Sequence, residues 1–182
     1  MKRLTFLLYV LFCLCISVAQ SQSIELKGMA VQTQDNHWHI TPHYEIELSD
    51  AMIEAIHNGI EITFVSEARL IAGKNWWPDA TLQQTAKRFE IHYFSLSSQY
   101  QLKQLNSKEE TSFMTLTALL EQLTQKTTFN FEQQDQATAV ESRFYLDQRA
   151  LPSTMQLPIL LDPDWSLKAQ ANRQPLPVIN EP

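Results

Sequence analysis

The sequence predicts a mainly β chain, folded as an antiparallel β-sandwich of immunoglobulin-like architecture with two short helices. Three observations carry this. Apolar and polar residues alternate with a period of two through runs such as Trp38–Leu48 and Val140–Asp147, the pattern of a strand with one buried face. Turn-forming clusters such as Gln34–Asp35–Asn36 and Asn106–Ser107–Lys108 separate these runs at short intervals. Helical spacing of apolar residues occurs in only two brief segments. Eight or nine short strands and two short helices fit two packed sheets.

Composition narrows the function. The chain has 182 residues, of which 44% are hydrophobic and 19% charged, an ordinary balance for a domain with its own core. Its formal charge is -6, from 14 Lys+Arg against 20 Asp+Glu. Phosphate binding needs a basic face, so this balance argues against nucleic acid as the main partner. The glycines Gly28, Gly59 and Gly73 supply no GxGxxG or GxxxxGK[ST] loop, which excludes those phosphate cradles. There is no GxSxG elbow and no HExxH helix either. No cofactor is expected, and the reading is non-enzymatic.

The elements follow in order. Met1–Lys2–Arg3 is positive, Leu4 to Val18 is apolar but for Thr5 and Ser17, and Ser17–Val18–Ala19 ends in small residues. This is the layout of a cleavable signal peptide over residues 1–19, with Ser21 as the alternative cut site. The apolar run is shorter than the ~20 residues a spanning helix needs, so stable membrane insertion after cleavage is not expected. Both cysteines, Cys13 and Cys15, lie inside this segment. The exported remainder would thus contain neither a disulfide nor a thiolate nucleophile.

Ile24 to Thr33 reads as the first strand and His37 to Leu48 as the second. In the second, Trp38, Ile40, Tyr44, Ile46 and Leu48 share one face with Pro42. Ser49 or Asp50 caps a short helix over Ala51 to Asn58, with Gly59 just past its end. Ile60 to Ile71 alternates again, then Gly73 to Asp79 is read as a loop. Thr81 to Leu96 is a long strand with Phe89, Ile91 and Tyr93 on one face, and Tyr100 to Leu105 is the next. Leu116, Leu119, Leu120 and Leu123 follow helical spacing, giving a second helix over Thr115 to Gln125. Thr128 to Phe131 and Val140 to Asp147 are strands. Met155 to Leu161 and Trp165 to Ala169 complete the core around the turn Asp162–Pro163–Asp164. One domain therefore spans 24–170, and the Pro-rich 171–182 reads as a flexible tail.

Four constellations could carry chemistry. Trp76 and Trp77 in the loop, with His92 and Tyr93 on the long strand, form the candidate partner-binding set, because an outward tryptophan beside His and Tyr anchors a protein partner. Packing of both tryptophans at the end of the sandwich is the plainer account. His37, His39 and His43 share a polar strand face near Glu45. Residues two apart on a strand lie roughly 6–7 Å apart, so His37 and His39 could share a transition metal. A solvated strand face is the plainer account, and no metal site is assigned. Arg143 and Asp147 point the same way and suit ion pairs with neighbouring strands. Asp162 and Asp164 flank Pro163 as turn residues rather than as an acid–base pair.

The chain also resembles an exported proteobacterial family, domain of unknown function 4390. The resemblance rests on Leu48–Ser49, Ala55, Gly59, Phe64, Trp76–Trp77, His92–Tyr93, Leu96, Tyr100, Phe113, Leu116 and Leu119. It continues through Arg143, Leu146–Asp147, Leu151–Pro152, Gln156–Leu157 and Trp165–Ser166–Leu167. Asn75 and Pro78 stand where the family tends to have arginine and further tryptophan. The resemblance implies an exported soluble protein with no assigned activity. The family's genes often neighbour that of a membrane sensor kinase, which implies an envelope signalling partner. The expectation is thus a periplasmic binding module for another envelope or periplasmic protein, with a metal-binding protein using His37, His39 and His43 as the alternative.

Overall fold

The computed structural model of the chain describes residues 22–74, 77–160 and 162–177. Strand β1 (Ser23–Gln34) and strand β2 (His37–Glu47) form a hairpin closed by Asp35 and Asn36. Both turn residues have positive φ, 49° and 60°. A two-residue hairpin turn of this kind needs short polar residues that tolerate the left-handed region. Strand β7 (Phe129–Glu132) pairs with the other side of β2, so the first sheet runs β1-β2-β7.

The second sheet has six strands. Strands β3 (Ile62–Lys74), β4 (Trp77–Phe94), β5 (Gln99–Gln104) and β6 (Glu109–Phe113) form a meander. Strand β8 (Ala139–Leu146) lies on the free side of β3, and β9 (Asn172–Pro175) lies outside β8. All pairings are antiparallel. The two sheets face each other as a sandwich.

Alternation places the core. Trp38, Ile40 and Tyr44 of β2 point inward, towards Phe64, Ala68 and Leu70 of β3 and Val140, Phe144 and Leu146 of β8. Helix α1 (Asp50–His57) buries Met52, Ala55 and Ile56, and helix α2 (Leu116–Gln125) buries Leu119 and Leu123. Ser49 caps α1 by accepting from the Met52 N–H, and Thr115 caps α2 by accepting from the Ala118 N–H. Beyond α1, Gly59 has φ 82°. Its N–H donates to the Ile56 carbonyl and that of Ile60 to the Ala55 carbonyl, the paired bonds that stop a helix at a left-handed glycine.

Four expectations need correction. First, two short helices were expected, but the described part of the Met155–Leu161 core segment is a third. Helix α3 (Ser153–Leu160) forms there, because Met155 and Ile159, four apart, reach the core from one helical face. Second, Gly73 to Asp79 is not all loop, since β3 runs to Lys74 and β4 starts at Trp77. Third, β6 was not expected. Four of its five side chains are polar and exposed, so it rests on main-chain bonds to β5 and on Phe113 packing against the core. Fourth, the tail is not wholly loose. Residues 172–175 pair with β8, and Leu176 is 8% exposed in the cluster around Trp38.

Candidate functional site

The β4–β5 hairpin ends in a small apolar prominence. Phe94 pairs with Gln99 across its mouth, and residues 95–98 form the turn, with Ser98 at φ 52°. Leu96 stands fully exposed at the tip. Phe94, Gln99 and Met114 form one row across β4, β5 and the end of β6. The Tyr100↔Phe113 pairing puts Met114 opposite Gln99, and the Gln99 amide lies 3.8 Å from the Met114 sulfur. Phe94 and Met114 are both exposed. Neighbouring strands lie about 4.8 Å apart, so the row spans roughly 10 Å.

The prominence rests on packed aromatic rings. Tyr93 and Tyr100 lie 4.8 Å apart between centroids, and His57 at the end of α1 lies 5.0 Å from Tyr93. The His57 Nε2 and Tyr100 hydroxyl are 2.6 Å apart. Burial pushes the Tyr100 phenol above its usual pKa, with a further rise from Tyr93. Tyr93, Tyr100 and Phe113 all pack against the main core, so the tip is mounted on a fixed base.

His92 occupies the opposite face from Tyr93, as adjacent strand residues must. Its ring meets Phe94 edge-on at 4.4 Å. Its Nδ1 is buried and 3.5 Å from Glu61 Oε1, too far for a good hydrogen bond, and has no other partner among the described residues. His92 therefore belongs to the same outer row as Phe94, while Tyr93 supports it from beneath.

The tryptophans do not join them. Trp77 opens β4 fifteen residues before His92, roughly 50 Å away at ~3.3 Å per residue. The expected cluster fails because β4 pairs with β3 along almost its whole length instead of folding back on itself. Trp76 lies outside the described residues, as does the Trp77 side chain.

The other constellations resolve into structural contacts. His37 Nδ1 lies 2.8 Å from the Asp35 carbonyl, and His39 Nδ1 lies 2.8 Å from Asn130 Oδ1. His43 is exposed. Among the described residues no group of three or more His, Cys, Asp or Glu is placed to hold a metal. Arg143 pairs with Glu141 at 2.7 Å, and Arg88 stands 3.8 Å from Asp147. Asp162 accepts from the Asp164 N–H at 3.0 Å, which is turn chemistry.

Phe94, Leu96 and Met114 were not singled out from the sequence as contact residues. The signal was present in Ser95–Leu96–Ser97–Ser98. A large apolar residue among serines in a tight turn has no core within reach.

Among the described residues no helix is long and apolar enough to cross a membrane. No curated protein and no solved structure matches the chain. The model of one family, described as domain of unknown function DUF4390, matches residues 21–174. That match runs from just before β1 into β9, and the chain belongs to the DUF4390 family.

Proposed function

We propose that the protein is an exported periplasmic, non-enzymatic module that binds another envelope protein through the β4–β5 hairpin tip. The observation that carries the reading is the exposed row of Phe94 and Met114 beside the fully exposed Leu96. Large apolar side chains held out on a rigid base favour a protein partner, because burying each one stabilises a complex by about 1.5–3 kcal/mol. His92 and Tyr93 then act as flank and support of that contact. The layout of Met1 to Ala19 favours export through a cleaved signal peptide. A membrane sensor kinase is the partner class that the family resemblance suggests.

A crosslinking pull-down from envelope extract tests this with three proteins: the native chain, Phe94→Ser with Leu96→Asp, and Trp76→Ala with Trp77→Ala. Circular dichroism confirms that each is folded. The expected outcome is one partner captured by the native chain and by the tryptophan variant, and lost by the folded tip variant. Equal capture by the tip variant would remove the tip as the contact.

A further inference from the structure

We propose that the outer face of the six-stranded sheet is a second binding surface, a groove that takes an extended acidic peptide segment of a partner protein. It is separate from the hairpin tip and does not depend on it. Two clefts of about 630 and 400 Å³ lie on this face and share Tyr145 as a common wall. A third, of about 440 Å³, shares Lys168, Gln170 and Ala171 with the second and reaches Ile24 on β1. The track is therefore continuous from the 3-10 turn at Gln148–Ala150, across β8, to the seam between the two sheets.

Charge selects the occupant. Arg88 and Arg149 line the first cleft, and Arg143 and Lys168 the second. The facing carboxylates are Asp147 and Glu67. Glu141 also lies on this face, held between Arg69 at 2.8 Å and Arg143 at 2.7 Å. With Glu25 in the third cleft, five cations stand against four carboxylates, a small positive excess on a chain whose formal charge is -6. The three-stranded sheet has the reverse balance, with Glu25, Glu45, Glu47 and Glu132 against Lys27 alone. Arg69 and Arg143 are committed to Glu141, but the other three cations are free or weakly held. Arg88 keeps 57% of its side chain exposed at 3.8 Å from Asp147. Arg149 and Lys168 are exposed, and among the described residues neither has an ion-pair partner.

The backbone favours an extended chain over a compact anion. Residues 167–169 run beside β8, with the Leu146 N–H donating to the Leu167 carbonyl and the Ala169 N–H to the Phe144 carbonyl. The N–H and C=O of the intervening Lys168 therefore point away from β8. Among the described residues neither they nor those of Gln170 make a hydrogen bond. An extended segment laid beside them would gain main-chain bonds, the usual source of affinity when a strand is added to a sheet edge. Its first carboxylates would meet Lys168, and where the segment turns across β8 its later ones would meet Arg143 and then Arg88 and Arg149.

Fluorescence anisotropy of a dye-labelled peptide of alternating glutamate and threonine tests the proposal on the purified protein. Saturable binding that weakens with added salt is expected, as is no binding of the glutamine–threonine peptide. Arg149→Glu with Lys168→Glu should weaken binding at least about tenfold. Arg149→Gln with Lys168→Gln should fall between, and a melting curve on each variant verifies the fold. The tip variant Phe94→Ser with Leu96→Asp should bind the peptide like the native chain, so failure here is distinct from failure of the tip contact. Equal binding of the glutamine peptide, or unchanged binding by the folded charge-reversal variant, would overturn the proposal. So would binding to phosphatidylglycerol vesicles with none to the acidic peptide, because the face would then read lipid phosphate.

Discussion

Ser49→Ala should destabilise the fold more than its small size suggests. Ser49 is 3% exposed and its hydroxyl has two tasks. It accepts from the Met52 N–H at 3.2 Å, capping α1, and donates to the Asp164 carbonyl at 3.1 Å. The second bond ties the start of α1 to the 3-10 turn at Pro163–Trp165, whose Trp165 packs in the main core. Losing a cap costs about 1 kcal/mol. Breaking the part-buried bond to the Asp164 carbonyl adds about 0.5–1.5 kcal/mol. The expected loss is therefore about 1.5–2.5 kcal/mol, a fall in Tm of roughly 3–10 °C for a domain of this size. Thr115→Ala is the matched control, because Thr115 caps α2 through the Ala118 N–H at 3.2 Å but is exposed. It should cost about 1 kcal/mol or less. Urea unfolding of both variants decides the matter. If Ser49→Ala costs no more than Thr115→Ala, the tie to Asp164 contributes nothing and the reasoning fails.

Three further outcomes are expected. Burial pushes the Tyr44 phenol up to about 12, with the hydrogen bond to Ser142 opposing the rise. The folded state thus holds this proton more tightly than the unfolded chain, whose tyrosine titrates near 10. That contribution is complete below about pH 10 and is lost as pH rises towards 12. In urea midpoints measured across this range, Tyr44→Phe should show a shallower alkaline decline. Phe144→Ala should cost about 3–5 kcal/mol in the same assay, because the ring is fully buried between Tyr44 at 5.0 Å and Phe64 at 5.6 Å. Truncation after Ala171 should cost more than the about 1.5–3 kcal/mol of burying Leu176, since it also removes the β9 pairing and the Arg173–Asp79 ion pair. Truncation after Pro177 should be neutral by comparison, and equal stability of the two would return residues 172–176 to a loose tail.

Where side chains set the pattern, the fold was legible in the sequence. Strand β2 alternates from Trp38 to Glu47, and its inward residues are those that the period of two selects. The cap of the first helix, Ser49 or Asp50, and the stop at Gly59 were equally readable, because each is a local backbone requirement, whereas Thr115, read as the first residue of the second helix, is its cap. Elements held by main-chain pairing were not readable. Strand β6, with the sequence Glu-Glu-Thr-Ser-Phe, and β9, with Asn-Arg-Gln-Pro, have little apolar alternation. Their state is decided by the edge they meet. Of the candidate site, His92 and Tyr93 lie at the tip, but the pairing with Trp77 failed. Sequence proximity to a strand says nothing about which of its two ends a residue occupies, and β4 is eighteen residues long. The cationic groove was illegible for a related reason. Arg88, Arg143, Arg149 and Lys168 are scattered over eighty positions and meet only through the register of β3, β4 and β8.

The core allows the two proposed binding surfaces to be mechanically separate on a domain this small. Its apolar residues fall into two clusters, one around Phe64 and Phe144 and one around Trp38 and Leu70. Polar side chains lie where they meet. Ser66 and Ser142 are fully buried, Ser142 shares a 2.5 Å hydrogen bond with Tyr44, and the Ser66 hydroxyl has no partner among the described residues. The first cluster supports Tyr93, Tyr100 and Phe113 beneath the hairpin tip. The second holds Leu176 and so anchors β9. Interlocked apolar side chains transmit strain through a core, and these small hydroxyl side chains interrupt that packing between the two clusters. Opening of β9 at one end should therefore leave the hairpin tip in place. In native-state hydrogen exchange, amides of β9 should exchange by a local opening while those of β4 and β5 wait for global unfolding. Coincident exchange of both would mean that the two clusters act as one core, and that the two surfaces are not mechanically independent.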